Sequence, residues 1–178
     1  MKKENNDNTS RNTQIEEFLS DRYEFRYNTV LNRAEYRLRG TGDYTAIDRY
    51  RINTLKRALD KEAGVQTSPE NLYSIIESDF SPRINPVQAY FQALPQTKGN
   101  TETITTLADC VSVTHPEKWR EYLTKWLVAV VANAMDDKQC RNHTCLVLTG
   151  EQGKFKTTFL DLLCPPSLSD YRYTGKIY

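Results

Sequence analysis

The most constraining feature of the chain lies near its end. A short apolar run, Cys145-Leu146-Val147-Leu148, leads into Gly150-Glu151-Gln152-Gly153-Lys154-Phe155-Lys156-Thr157, and an apolar-periodic segment opens at Lys156-Thr157-Thr158-Phe159-Leu160. The run is suited to a strand buried on both faces of a parallel sheet. Strand, glycine-bearing loop and helix, in this order, is the arrangement a phosphate-binding loop requires.

The phosphate-loop pattern is G-x-x-x-x-G-K-[ST], and every fixed position is met except one, where Phe155 replaces the second glycine. In that pattern the backbone N–H groups of Gly150, Glu151, Gln152, Gly153, Lys154, Phe155 and Thr158 surround phosphate oxygens at a helix N-terminus. Lys156 would reach the β and γ phosphates, and the Thr157 hydroxyl would bind Mg²⁺. A side chain at Phe155 must either hold ordinary negative φ or occupy space beside the nucleotide. The alternative is a glycine-containing turn in which the Lys-Thr pair is incidental.

Upstream, the pattern is mainly helical. Residues 1–12 hold nothing apolar beyond Met1 and are expected to be a disordered tail, with a short helix starting near Thr13. Tyr23, Phe25 and Tyr27, then Tyr36 and Leu38, alternate across an Asn32-Arg33 turn and predict a β-hairpin. Ile52, Leu55 and Leu59 recur by threes and fours on a helix over 47–62, closed by Gly64. Ser68-Pro69 opens the next helix, 68–79, with Leu72, Ile75 and Ile76 as its apolar stripe.

Pro86 opens a short helix ended by Pro95, and Ile104, Leu107, Ala108 and Val111 mark another. The most strongly patterned helix, about Pro116 to Met135, carries Trp119, Leu123, Trp126, Leu127, Val130 and Val131 as a core stripe. The expected fold class is therefore mixed and mainly α. A hairpin and helical accessory domain over 13–135 is followed by the beginning of an α/β P-loop core over 140–178.

The 24 basic and 23 acidic residues leave a formal charge of +1, so overall electrostatics give no reason for tight nucleic-acid binding. A local basic face exists on helix 47–62, where Arg49, Arg51, Lys56, Arg57 and Lys61 are candidate DNA contacts. With the hairpin and helix 68–79, they could form a winged-helix-like DNA-binding or scaffolding module in which the P-loop is degenerate. Glu70, Glu77 and Asp79 weigh against the second helix as the one lying on phosphates.

The cysteines Cys110, Cys140, Cys145 and Cys164 have no paired spacing, which favours reduced thiols. Cys140, His143 and Cys145 cluster at uneven spacing and give only a weak metal signal. No apolar segment follows the N-terminal lysines, so no signal peptide is expected. The apolar run at Trp126–Ala132 is far short of the ~20 residues a membrane span needs. A cytoplasmic location and no membrane partner are expected.

Residues 142–153 with 156–160, together with Asn85-Pro86-Val87-Gln88-Ala89-Tyr90-Phe91 and the Trp119–Met135 helix, resemble the virulence-associated E family. The hairpin at 23–28 and 34–37 resembles the start of that family's helicase-like region in versions from mobile elements. The resemblance implies a P-loop ATPase of phages, plasmids or genomic islands that uses ATP and Mg²⁺ and assembles as a ring on DNA during replication. It also implies that this chain is an N-terminal portion. The acidic residue of a later strand and the arginine finger have no counterpart here, so the chain alone is expected not to turn over ATP.

Overall fold

Alternation of aromatic and charged residues builds the sheet of the first unit. In the computed structural model, which describes residues 2–95, 101–136, 144–173 and 175, strands β1 (Tyr23–Asn28) and β2 (Arg33–Leu38) pair antiparallel. Their register sets Phe25 opposite Tyr36 and Arg26 opposite Glu35. Tyr23, Phe25 and Tyr27 pack on the core, whereas Glu24, Arg26 and Asn28 form ion pairs or hydrogen bonds across the other face.

Two short strands complete a sheet of order β3-β2-β1-β4. β3 (Thr45–Ala46) joins β2 antiparallel, and β4 (Arg83–Ile84) joins β1 parallel. Tyr27 and Thr29 donate their N–H groups to Pro82 and Ile84 at 2.9 Å. The residues just before Pro86 thus supply a strand.

The helices of this unit follow their caps. Asp48 accepts a hydrogen bond from the Arg51 N–H at 2.8 Å and starts α2 (Arg49–Ala58). The Arg51 N–H is also the principal cause that holds the Asp48 carboxyl below its usual range. The predicted start near residue 47 overlooked this cap. After α2 the chain widens into one π-helical turn, Leu59–Ala63, which Gly64 closes in the left-handed conformation at φ 66°. Ser68 caps α3 (Pro69–Ile76) by accepting from the Asn71 N–H at 3.1 Å. Ile52, Leu55, Leu59, Leu72 and Ile76 form the buried centre with Ile15, Leu19 and Phe25.

The first helix differs from expectation. α1 spans Lys2–Arg22, so the segment 1–12 is not the disordered tail that composition suggests. Ile15 and Leu19 are fully buried and anchor the C-terminal part of the helix.

The chain divides into two compact units, Met1–Pro86 and Val87–Tyr178, rather than near residues 135–140. Of the helices read as accessory, those that follow Pro86 therefore share a unit with the glycine loop. That unit contains α4 (Pro86–Ala93), α5 (Thr101–Asp109), α6 (Pro116–Met135) and α7 (Lys156–Leu163), followed by a 3₁₀ turn at Pro166–Tyr171. Its core is small: Ala108, Trp119 and Leu123 are buried, and Trp119 Nε1 donates to the Ala108 carbonyl at 2.9 Å.

Two expectations fail here. α6 has the predicted bounds, but it is a core helix only in its first half. α5 is nine residues long against the twenty of α6, and Val128, Val130, Val131 and Met135 remain exposed. The run Cys145–Leu148 is not a strand buried on both faces. Leu146 and Leu148 pack on the Trp119 cluster, while Val147 is 70% exposed. Among the described residues no strand pairs with it, and the α/β sheet of a P-loop core does not form.

Candidate functional site

The loop that follows Leu148 is held at both ends by the same apolar cluster. Leu146 and Leu148 fix its entry on Trp119 and Leu123. Phe159, in the first turn of α7, fixes its exit, with its ring 6.1 Å from that of Trp119. Between these anchors Gly150 and Gly153 take φ values of 143° and 81°, conformations a side chain would strain.

Phe155 is the informative position. Its backbone sits at φ 54° and ψ 22°, in the left-handed region, and its ring is 78% exposed. The chain thus keeps at Phe155 the conformation that glycine adopts freely, at a cost of about 1–2 kcal/mol, and points the ring into solvent. Of the two outcomes expected from sequence, ordinary negative φ is not the one adopted.

Directly after it, α7 begins. The Phe159 N–H donates to the Phe155 carbonyl at 2.9 Å, and no side chain caps the helix start. The first N–H groups of a helix lack intrahelical partners, so such an end favours an anion. Lys156 folds back into the loop: its ammonium donates to the Gly150 carbonyl at 3.0 Å and the Glu151 carbonyl at 2.5 Å.

Gln152, Gly153, Lys154, Phe155, Lys156, Thr157 and Thr158 line one open concavity of about 430 Å³. Gly150 and Glu151 contribute through their carbonyls, and Lys154 stands 3.6 Å from the Glu151 carboxylate. Of the predicted 150–158 set, Gln152–Thr158 share this concavity, and Gly150 and Glu151 meet it through the Lys156 ammonium. Thr157 is exposed on the first turn of α7. Asp161, further along, pairs with Arg172 at 3.0 Å.

The comparison with family models bears on the second unit. Residues 92–175 match the model of the virulence-associated protein E-like domain. This virulence-associated protein E-like segment takes in α5, α6, the glycine loop and α7, so the motif read from sequence lies inside the family's own domain. No curated protein and no solved structure matches the chain significantly.

Outside that segment, the basic residues singled out on the sequence separate. Arg49, Lys56 and Arg57 are exposed on α2, whereas Arg51 is held by Asp48 at 2.7 Å. Lys61 lies on the π-helical turn. Sequence reasoning missed Asp48 as the partner that removes Arg51 from this set, although an acidic residue three positions before an arginine at a helix start is a readable signal.

Sequence reasoning also missed a buried carboxylate. Glu35 is 2% exposed on β2 and accepts from Arg26 at 2.7 Å, Arg33 at 2.9 Å and Asn28 at 3.0 Å. Burial pushes its carboxyl up, but those three hydrogen bonds outweigh it and leave the group below the usual carboxylate range. All its partners are structural, and the arrangement reads as a stabilising network.

As for metals, no three His, Cys, Asp or Glu side chains gather among the described residues. Cys145 is exposed, and Cys140 and His143 lie outside the described residues. No helix among the described residues is long and apolar enough to cross a membrane.

Proposed function

We propose that the 150–158 loop binds the phosphates of ATP together with Mg²⁺, within a P-loop NTPase of a phage or mobile genetic element. The observation that carries this reading is the left-handed backbone at Phe155, the geometry a glycine would give at that motif position. A phenylalanine held there against its own preference is strain retained where a loop conformation matters.

The remaining parts act in support. Lys156 rests on the Gly150 and Glu151 carbonyls, and a triphosphate would take over its ammonium as a stronger, charged acceptor. The uncapped start of α7 offers backbone N–H donors to the same oxygens. A single hydroxyl, Thr157, suits Mg²⁺, which keeps several of its waters and takes other oxygens from the nucleotide. Bound Mg²⁺ would neutralise charge that develops on the phosphates. By resemblance, the reading extends to a helicase-like motor that works on DNA as a ring during replication of the element.

Calorimetry with a non-hydrolysable ATP analogue and Mg²⁺ tests the site. Lys156→Ala removes a charge-assisted bond and should weaken binding about ten- to a hundredfold. Phe155→Gly should bind at least as tightly as the natural chain, because it keeps the backbone geometry without strain. Equal binding by the Lys156→Ala chain would sink the proposal.

A further inference from the structure

The first unit carries a second, polar concavity unrelated to the glycine loop. It measures about 550 Å³ and is lined by Asn53, Lys56, Arg57, Asp60, Gln66 and Thr67. We infer that this groove seats the phosphate backbone of a nucleic-acid strand.

The groove is produced by the π-helical turn. α2 runs regularly to Ala58, the turn at Leu59–Ala63 takes in an extra residue, and the Val65 N–H returns to the Leu59 carbonyl at 3.2 Å. Leu59 and Val65 stay buried, so the chain reverses sharply and brings Gln66 and Thr67 alongside Lys56 and Arg57. π-helical turns are rare and concentrate at functional sites. The far wall is braced: Asn71 Nδ2 donates to Thr67 Oγ1 at 3.0 Å and to Asn12 Oδ1 at 3.1 Å.

The lining chemistry selects the ligand. Every lining side chain is polar, unlike the apolar walls of most small-molecule pockets. Two cations, two amides and a hydroxyl suit phosphate and sugar oxygens. Neither Lys56 nor Arg57 is held in an ion pair among the described residues.

Arg49, Asn53, Lys56 and Asp60 recur at helical spacing on one exposed face, and Lys61 continues the basic row. From Arg49 to Lys61 the row covers roughly 18 Å of helix, which suits a polymer of phosphates better than one small anion. Asp60 is the opposing charge and limits affinity. Arg51, committed to Asp48, takes no part.

Fluorescence anisotropy of the full chain with a labelled mixed-sequence oligonucleotide, over a salt series, tests the inference. The Lys56→Ala/Arg57→Ala variant should bind about tenfold more weakly and lower the salt slope by about two. Asp60→Asn should tighten binding several-fold, and Arg51→Ala should leave it unchanged. Circular dichroism melts of each variant separate loss of contacts from loss of fold. Undetectable binding by the natural chain, or unchanged binding by the folded double-cation variant, overturns the inference. So does displacement of the oligonucleotide by inorganic phosphate at matched ionic strength, which would mark a small-anion seat instead.

Discussion

The two units spend similar lengths of chain on different things. Met1–Pro86 surrounds a continuous core with two-sided protection: helices cover one face of the sheet, and a charge network satisfies the other. Among its described residues, Val87–Tyr178 buries one small cluster and Leu168, and leaves Val128, Val130, Val131, Met135, Val147 and Phe155 in contact with water. The difference teaches that a loop can be well placed by a small core, provided that core grips both of its ends. Stability and site geometry are set by different residues here.

Both tryptophans, Trp119 and Trp126, lie in the second unit, so their fluorescence reports its unfolding alone, whereas far-ultraviolet dichroism follows both units. The largest expected effect comes from Leu72→Ala, which opens a cavity in the first core and should cost about 3 kcal/mol in urea denaturation followed by dichroism. The tryptophan-detected midpoint should stay where it was. A joint shift would show that the units unfold as one and would break the comparison.

Glu35→Ala comes next, at about 2 kcal/mol, because it leaves Arg26 and Arg33 without their carboxylate, although both still reach water. Its pH signature has a defined sign. The folded carboxyl titrates below its unfolded value, so its stabilisation is complete above the unfolded value and is lost as pH falls through the folded one. The natural chain should therefore lose dichroism-detected stability in acid more steeply than the Glu35→Ala chain. Parallel acid profiles would deny Glu35 this role.

Smaller still, Phe155→Gly should raise the tryptophan-detected stability by about 1 kcal/mol, since it removes left-handed strain and no buried contact. Val147→Thr should move it by less than about 0.5 kcal/mol, because the side chain meets mostly solvent. A large loss at Val147 would show that this segment has partners of the kind a sheet supplies.

Much of this arrangement was legible beforehand, and the misses have physical causes. The hairpin's aromatic alternation, the Ser68 cap, the Gly64 stop and the bounds of α6 follow from local chemistry and appear as read. The hairpin itself turns at residues 29–32, with Arg33 already paired to Asn28, and not at the Asn32-Arg33 turn expected. β4 was illegible because its two residues are strand only through a partner more than fifty positions away. α1 escaped because composition cannot report the anchoring of its far end. At the glycine loop, spacing gave the residues, but only coordinates could show that Phe155 adopts a glycine's backbone. The apolar Cys145–Leu148 run was misread because continuous hydrophobicity signals burial without saying how many faces are covered.

The parallel pairing of β4 with β1 has a consequence during synthesis. The hairpin is complete once Leu38 has been made, but the free side of β1 receives its partner only after Ile84. A nascent chain emerging at 5–20 residues per second, roughly, therefore exposes that edge for seconds. Glu24 and Arg26, placed along it, are the kind of charged residues that discourage a neighbouring chain from adding a strand first.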